Sequence, residues 1–141
     1  MEEDESIALY RRLAEFHYQM RRFLDAGNAA ARTSGLWPQQ LQLMLTLKGL
    51  PEGERPTITA LATRLCLKHH SAIELVTRLV ERGFAVRRRS RDDRREVLVE
   101  LTPSGENILK KPEDRHIREM DVESPELCRV LLAIVSQTGR D

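Results

Sequence analysis

The chain has 141 residues, of which 40% are apolar, 32% charged and only 4% aromatic. Such a length and composition fit one folded domain with its own core and exclude a wholly disordered chain. Lys and Arg number 23 against 22 Asp and Glu, and the net charge of +1 gives no global sign of a nucleic-acid binder. No apolar run approaches about 18 residues, so no membrane span is expected. The opening Glu2-Glu3-Asp4-Glu5 has the wrong sign for a secretion signal. Two cysteines, Cys66 and Cys128, are too few for a disulfide framework, and a reducing cytoplasm is the expected location.

The first stretch is helical by period. Leu9, Leu13, Phe16, Met20, Phe23 and Leu24 recur at helical steps from a Ser6 cap to about Arg32, with Gly27 as the weak point. A terminal amphipathic helix of this length crosses its own domain or packs on another chain. Gly35-Leu36-Trp37-Pro38 breaks it, and Pro38 suits the first turn of a second helix, where its missing N–H has no partner to lose. Leu41, Leu43, Leu45 and Leu47 alternate as a strand would, yet Leu41, Met44, Leu45 and Lys48 also share a helix face. Pro38 and the length of the segment favour helix. Gly49-Leu50-Pro51 ends it, and residues 51–57, with Pro51, Gly53 and Pro56, form a loop.

Thr59 is the expected cap of a short helix through Leu61, Ala62 and Leu65. After Cys66-Leu67 a second segment runs from about His69 to Arg82, where Gly83 stops it. At 100° per residue, Ala72, Leu75, Val76 and Leu79 fall on one side of that segment. His70, Ser71, Glu74, Thr77, Arg78 and Glu81 fall on the other. The period then changes to two: Phe84 to Arg89 reads as one strand, and Val97, Val99 and Leu101 mark another. A polar hairpin tip, Ser90 to Arg95, lies between them. Thr102-Pro103 starts a helix that is expected to break or kink at Pro112, and Ser124-Pro125 to restart a last one through Leu127, Val130, Leu131, Ile134 and Val135.

The neutral total conceals an uneven distribution. Residues 1–56 carry a net −1, residues 57–111 a net +5 and residues 112–141 a net −3. Seven arginines stand against two aspartates between residues 82 and 95. A charge run is commonly solvated surface, so the cluster alone does not decide for an anionic polymer. The element order is more informative. Short helix, tight turn, second helix and a two-stranded hairpin with a basic tip is the order of a winged helix-turn-helix. An α-helix fits the major groove and needs one face to hold it and one to read, while a cationic hairpin suits the backbone or the minor groove.

The segment Thr59 to Gly105 resembles the MarR family of transcriptional regulators. Three pieces carry the resemblance: Ala60-Leu61-Ala62-Thr63-Arg64-Leu65, then Leu75-Val76-Thr77-Arg78-Leu79-Val80-Glu81-Arg82-Gly83, then Asp93-Arg94-Arg95 followed by Val97, Val99 and Leu101-Thr102-Pro103-Ser104-Gly105. The last piece is the most diagnostic. The resemblance implies a mainly α fold with a small β wing. Residues 36–102 would form the winged helix-turn-helix, and residues 1–35 and 103–141 the helices that join two copies into a homodimer. It further implies double-stranded DNA as partner, with a pseudo-palindromic operator, a role as repressor, and release by a small phenolic or lipophilic effector. Three positions depart from the family pattern: Cys66 replaces the usual turn glycine, His69-His70 open the reading helix, and Pro112 interrupts the helix after the wing.

In this resemblance Arg95 is the wing-tip arginine for the minor groove, oriented by Asp93 through a charge-assisted hydrogen bond. Arg89, Arg91 and Arg94 are phosphate partners or plain surface. On the reading helix His70, Ser71, Glu74 and Arg78 project from the polar face, with His69 nearer its flank and Lys68 placed for a phosphate. Glu74 either accepts from cytosine or holds Arg78 at i+4.

Metal binding is disfavoured, because adjacent histidines point about 100° apart on a helix and no Cys-x-x-Cys or His-x-x-x-His pair is present. No cofactor is expected. Cys66 reads as a small buried turn residue and Cys128 as core. Trp37, Tyr10, His17 and Tyr18 suit either an effector pocket or a core or interface. No phosphate-cradling glycine loop or nucleophile elbow marks an enzyme. The competing reading is a winged-helix protein–protein module without a DNA role.

Overall fold

The computed structural model describes residues 2–138, and of residues 112–124 and 137–138 the backbone only. Its elements are α1 (Glu2–Thr33), α2 (Pro38–Lys48), α3 (Ile58–Leu65), α4 (His69–Glu81), β1 (Ala85–Arg89), β2 (Val97–Leu101) and α5 (Pro103–Thr138). This is the mainly helical architecture with a β wing that the sequence predicts.

Helix α1 begins before the expected Ser6 cap. Its first turn is Glu2, Glu3, Asp4 and Glu5, four carboxylates that favour the positive end of the helix dipole, and Ser6 lies inside the helix. Gly27 is buried within it and does not interrupt it. Three helices of the chain end in the same way, on a left-handed residue that lets the next N–H reach back five residues. Leu36 N donates to Ala31 O (3.0 Å) after Gly35, Leu67 N to Ala62 O (2.9 Å) after Cys66, and Phe84 N to Leu79 O (3.1 Å) after Gly83. The φ angles of the three pivots are 79°, 55° and 79°.

Cys66 is the only non-glycine residue at positive φ among the described residues. It is exposed, not buried as expected, because the pivot of such an ending turns its side chain away from the helix pair. Cys128 is exposed as well, where a core position was expected.

Helix α2 is a helix, as Pro38 indicates, and not a strand. Leu41, Leu43 and Met44 are all buried in it, because α2 sits at the centre and touches α1, α3, α4, α5 and β2. A helix covered on several sides carries leucines at spacings that also look alternate. Helix α3 is capped by Thr57, whose hydroxyl accepts from Ala60 N at 3.1 Å, and not by Thr59, which lies exposed inside the first turn. In α4 the four residues predicted to face inward, Ala72, Leu75, Val76 and Leu79, are the buried ones.

The strands pair antiparallel in the register Ala85↔Leu101 to Arg89↔Val97, and Phe84 lies just outside β1. The α2–α3 loop adds an edge to this wing: Thr57 bridges Leu98, and Val99 N donates to Pro56 O (2.9 Å). At the wing's exit the Thr102 hydroxyl accepts from Gly105 N (3.0 Å) and donates to Gly83 O (2.6 Å).

From there α5 runs as one helix through Pro112 and Pro125. The expected break at Pro112 and restart at Ser124-Pro125 are therefore corrected. A proline removes one helical hydrogen bond and crowds the preceding turn, but α5 lies along α1, and that packing outweighs the local defect. The apolar stripe predicted for α1 is only partly covered. Leu9, Leu13 and Leu24 remain exposed beside Tyr10, while Phe16, Met20 and Phe23 are half-buried.

Candidate nucleic-acid interface

The two parts expected to meet a duplex adjoin. His69, the first residue of α4, shares a surface concavity with Asp93 and Arg95 of the hairpin tip, with Thr57 at the cap of α3 and with Thr59 inside it. Arg87 on β1 donates to the Thr77 hydroxyl on α4 (2.5 Å), which fixes the hairpin against the helix. Lys68 is the extended residue preceding α4. Lys68, His69, His70, Glu74 and Arg78 are exposed and Ser71 is half-buried, so the polar face predicted for α4 is open to solvent. Glu74 and Arg78 stand one turn apart, and the ion pairs among the described residues include neither.

The seven arginines of residues 82–95 divide into two groups that their sequence does not distinguish. Arg82 donates to Gln40 Oε1 (2.7 Å) and lies over the Phe84 ring at 4.9 Å. Arg87 is held by Thr77, and Arg88 pairs with Glu100 across the hairpin (2.7 Å). These three brace the fold. Arg89, Arg91, Arg94 and Arg95 are exposed, and among the described residues no side-chain hydrogen bond or ion pair engages them. Asp93 behaves differently from the expectation. Its Oδ1 accepts from the backbone N–H of Arg95 (2.9 Å), so it shapes the tip turn through the main chain.

Three residues that the sequence reading did not single out hold the tip. Arg55 donates to the Ser90 hydroxyl and pairs with Glu96 (3.0 Å). Ser90 is buried to 5% exposure at the base of the tip. Arg55 and Ser90 lie 35 positions apart, and only the wing register brings them together. On the outer side of α3, Arg64 bonds the Glu54 carboxylate (2.6 Å), whose hydrogen bond and charge raise its guanidinium pKa above the ordinary value.

Of the residues considered for an effector pocket, Trp37 is 72% exposed and lines a shallow groove with Pro38, Gln39, Gln40, Leu75 and Arg78. Tyr10, His17 and Tyr18 are exposed on α1 and take no part in that groove. His17 stands edge-on to Phe16 at 5.9 Å, and Arg22 lies over Tyr18 at 5.8 Å. Among the described residues no three His, Cys, Asp or Glu side chains come together as a metal site, and no helix is long and apolar enough to cross a membrane.

Comparison with known proteins places this arrangement. Residues 34–96 match the model of the MarR family. The organic hydroperoxide resistance transcriptional regulator of Bacillus subtilis (strain 168) is 30% identical over 106 residues, 75% of this chain and 65% of that protein. The LexA repressor of Magnetococcus marinus is 36% identical over 83 residues, 57% of this chain and 36% of that protein. The chain thus spans about two thirds of the one relative and about a third of the other. Among solved structures, the repressor CouR of Rhodococcus jostii RHA1, bound to a 23-mer DNA duplex, superposes with a TM-score of 0.65 at 25% identity, over 86% of this chain and 87% of that one. CouR is also known bound to p-coumaroyl-CoA. Solved MarR family regulators share the architecture over nearly their full length. The winged-helix core of the chain thus matches the MarR family over residues 34–96, and its helical frame shares the fold of solved MarR family regulators.

Proposed function

We propose that the chain is a sequence-specific DNA-binding transcriptional regulator, a repressor that acts as a homodimer on a pseudo-palindromic operator. The observation that carries this reading is the juxtaposition of the open polar face of α4 with a wing bearing four unengaged arginines, Arg89 at the end of β1 and three at the tip. The helix presents Lys68, His69, His70, Ser71, Glu74 and Arg78 to the major groove. Arg95 enters the minor groove beside Asp93, while Arg89, Arg91 and Arg94 meet phosphates. The repressor role is supported by relatives that carry that name, LexA and CouR. The homodimer is supported by apolar side chains left exposed on α1 and α5, including Tyr10, Leu13, Leu131, Leu132 and Val135. Residues 1–35 and 103–141 are its dimerisation helices and residues 36–102 its reading module. A small lipophilic or phenolic effector fits the example of CouR and the groove at Trp37, where Arg78 would be shared between effector and DNA.

The test is selection of bound duplexes from a random pool, followed by titration of the wild type and Arg95→Ala at matched salt. The wild type should prefer one pseudo-palindrome with half-sites about one helical turn apart. Arg95→Ala should weaken binding and leave the dimer intact. Equal affinity of the two proteins would remove Arg95 from the interface, and no preference for any duplex, even at low salt, would overturn the reading.

A further inference from the structure

We propose that Arg55 is a positioning residue that latches the tip of the wing, so that the α2–α3 loop sets the placement of the DNA-facing arginines. The proposal rests on the DNA-binding reading above and adds to it a residue outside the helix-turn-helix and the hairpin. The tip residues 91–95 contain no apolar side chain, so hydrophobic packing cannot fix their shape. Hydrogen bonds must do so. Ser90 N donates to Glu96 O (3.0 Å), and Glu96 N donates to Asp93 O (3.0 Å). The Ser90 hydroxyl accepts from Asp92 N (3.2 Å) and Asp93 N (3.4 Å), both at the long end of the hydrogen-bond range.

Arg55 supplies what those long bonds lack. One arm of its guanidinium, Nη2, donates to the Ser90 hydroxyl, and the other, Nη1, pairs with the Glu96 carboxylate at 3.0 Å. Ser90 and Glu96 flank residues 91–95 of the tip on either side, so one planar fork joins its two ends. The fork geometry is what distinguishes arginine from lysine at such a place. The fork is delivered by backbone that is itself fixed to the wing, because Pro56 O accepts from Val99 N and Thr57 bridges Leu98. Ser90 is buried and Glu96 half-buried, so the pair is less screened than a fully exposed one. The spacing of Arg91, Arg94 and Arg95 is thereby set from a loop outside both the reading helix and the hairpin.

Glu96 gives a test with opposite signs. Simple electrostatics predicts that removing a carboxylate beside a DNA-binding tip strengthens binding, whereas a latch predicts that removing it weakens binding. Arg55→Ala, Glu96→Ala, Arg55→Lys and the Arg55→Ala/Glu96→Ala pair are titrated against the duplex selected for the wild type, at one salt concentration. Each alanine variant should bind about fivefold or more weakly, the double variant no more weakly than the worse single one, and Arg55→Lys in between. Equal or tighter binding by Glu96→Ala would overturn the latch, and so would additive losses in the double variant.

Amide hydrogen exchange without DNA supplies the second readout. In Arg55→Ala the N–H groups of Asp92 and Asp93 should exchange faster while that of Val99 keeps its protection, and unchanged exchange would overturn the latch. If the wild type binds no duplex, the DNA reading fails and the exchange result alone decides whether Arg55 holds the tip.

Discussion

Gly105 shows how a single residue ties the wing to the helix that follows it. A Cβ built there would lie 2.1 Å from Phe84 O, far inside contact distance, and the obstacle is backbone that cannot move aside. Gly105→Ala is expected to destabilise the fold by about 1–3 kcal/mol, the usual cost of forcing volume into a packed place. Urea unfolding monitored by circular dichroism measures it. The Leu-Thr-Pro-x-Gly exit thus has a physical content: Thr102 caps α5 and bonds Gly83, Pro103 fills the first turn, and Gly105 permits the close approach. Cys66 is the opposite case, a side chain where glycine would be easier. Its left-handed conformation costs an L-residue about 1–2 kcal/mol. Glycine relieves that strain but has more freedom to lose on folding, roughly 0.5–1 kcal/mol. Cys66→Gly should therefore stabilise by about 0.5–1 kcal/mol on balance, and Cys66→Val should destabilise, since a β-branched side chain tolerates positive φ worst. Chemical denaturation of both variants checks the sign.

At the scale of elements, local signals were legible where chain geometry alone decides them. The inward face of α4, the residues of β2, the Thr102 cap and the helical state of α2 all follow from periodicity or from a residue with one conformational use. What could not be read depends on partners distant in sequence. The cap of α3 moved from Thr59 to Thr57 because Thr57 and Pro56 are also pinned to β2. The arginine count located the wing, but which arginines brace it depends on Gln40, Thr77 and Glu100, none of which a local window connects to them. Pro112 is the sharpest instance. Within its own neighbourhood it predicts a break, yet α5 continues because α1 supports it. The defect still has its cost, so Pro112→Ala should stabilise the protein by up to about 3 kcal/mol. Thermal unfolding at fixed protein concentration reads this, and a fall in Tm would mean that the helix requires the proline's geometry there.

Across the whole molecule, the neutral net charge is an average over two regions with different surroundings. The basic excess lies in residues 57–111 and the acidic excess in the long outer helices. Those helices, α1 and α5, lie against each other, and on α5 Arg129 bonds the Glu126 carboxylate one turn before it, which lowers that carboxyl's pKa. Leu131, Leu132 and Val135 on α5 and Tyr10 and Leu13 on α1 all remain exposed, Tyr10 and Leu132 to 67%. A single chain gains nothing by presenting these side chains to water, whereas a second copy would bury them. The wild type should therefore sediment as a dimer at micromolar concentration. Leu13→Asp combined with Leu132→Asp should yield a monomer of unchanged helicity, because neither side chain supports the core. The monomer then tests the division of labour between the two regions. The log–log salt slope of DNA binding is about −0.9 per phosphate neutralised, so it counts the arginines and lysines engaged. Two copies engage twice as many as one, and the monomer should bind a half-site with about half the wild-type slope. A monomer that keeps the full slope would mean that one wing and one reading helix already make every phosphate contact, and that pairing through α1 and α5 serves a purpose other than gripping DNA.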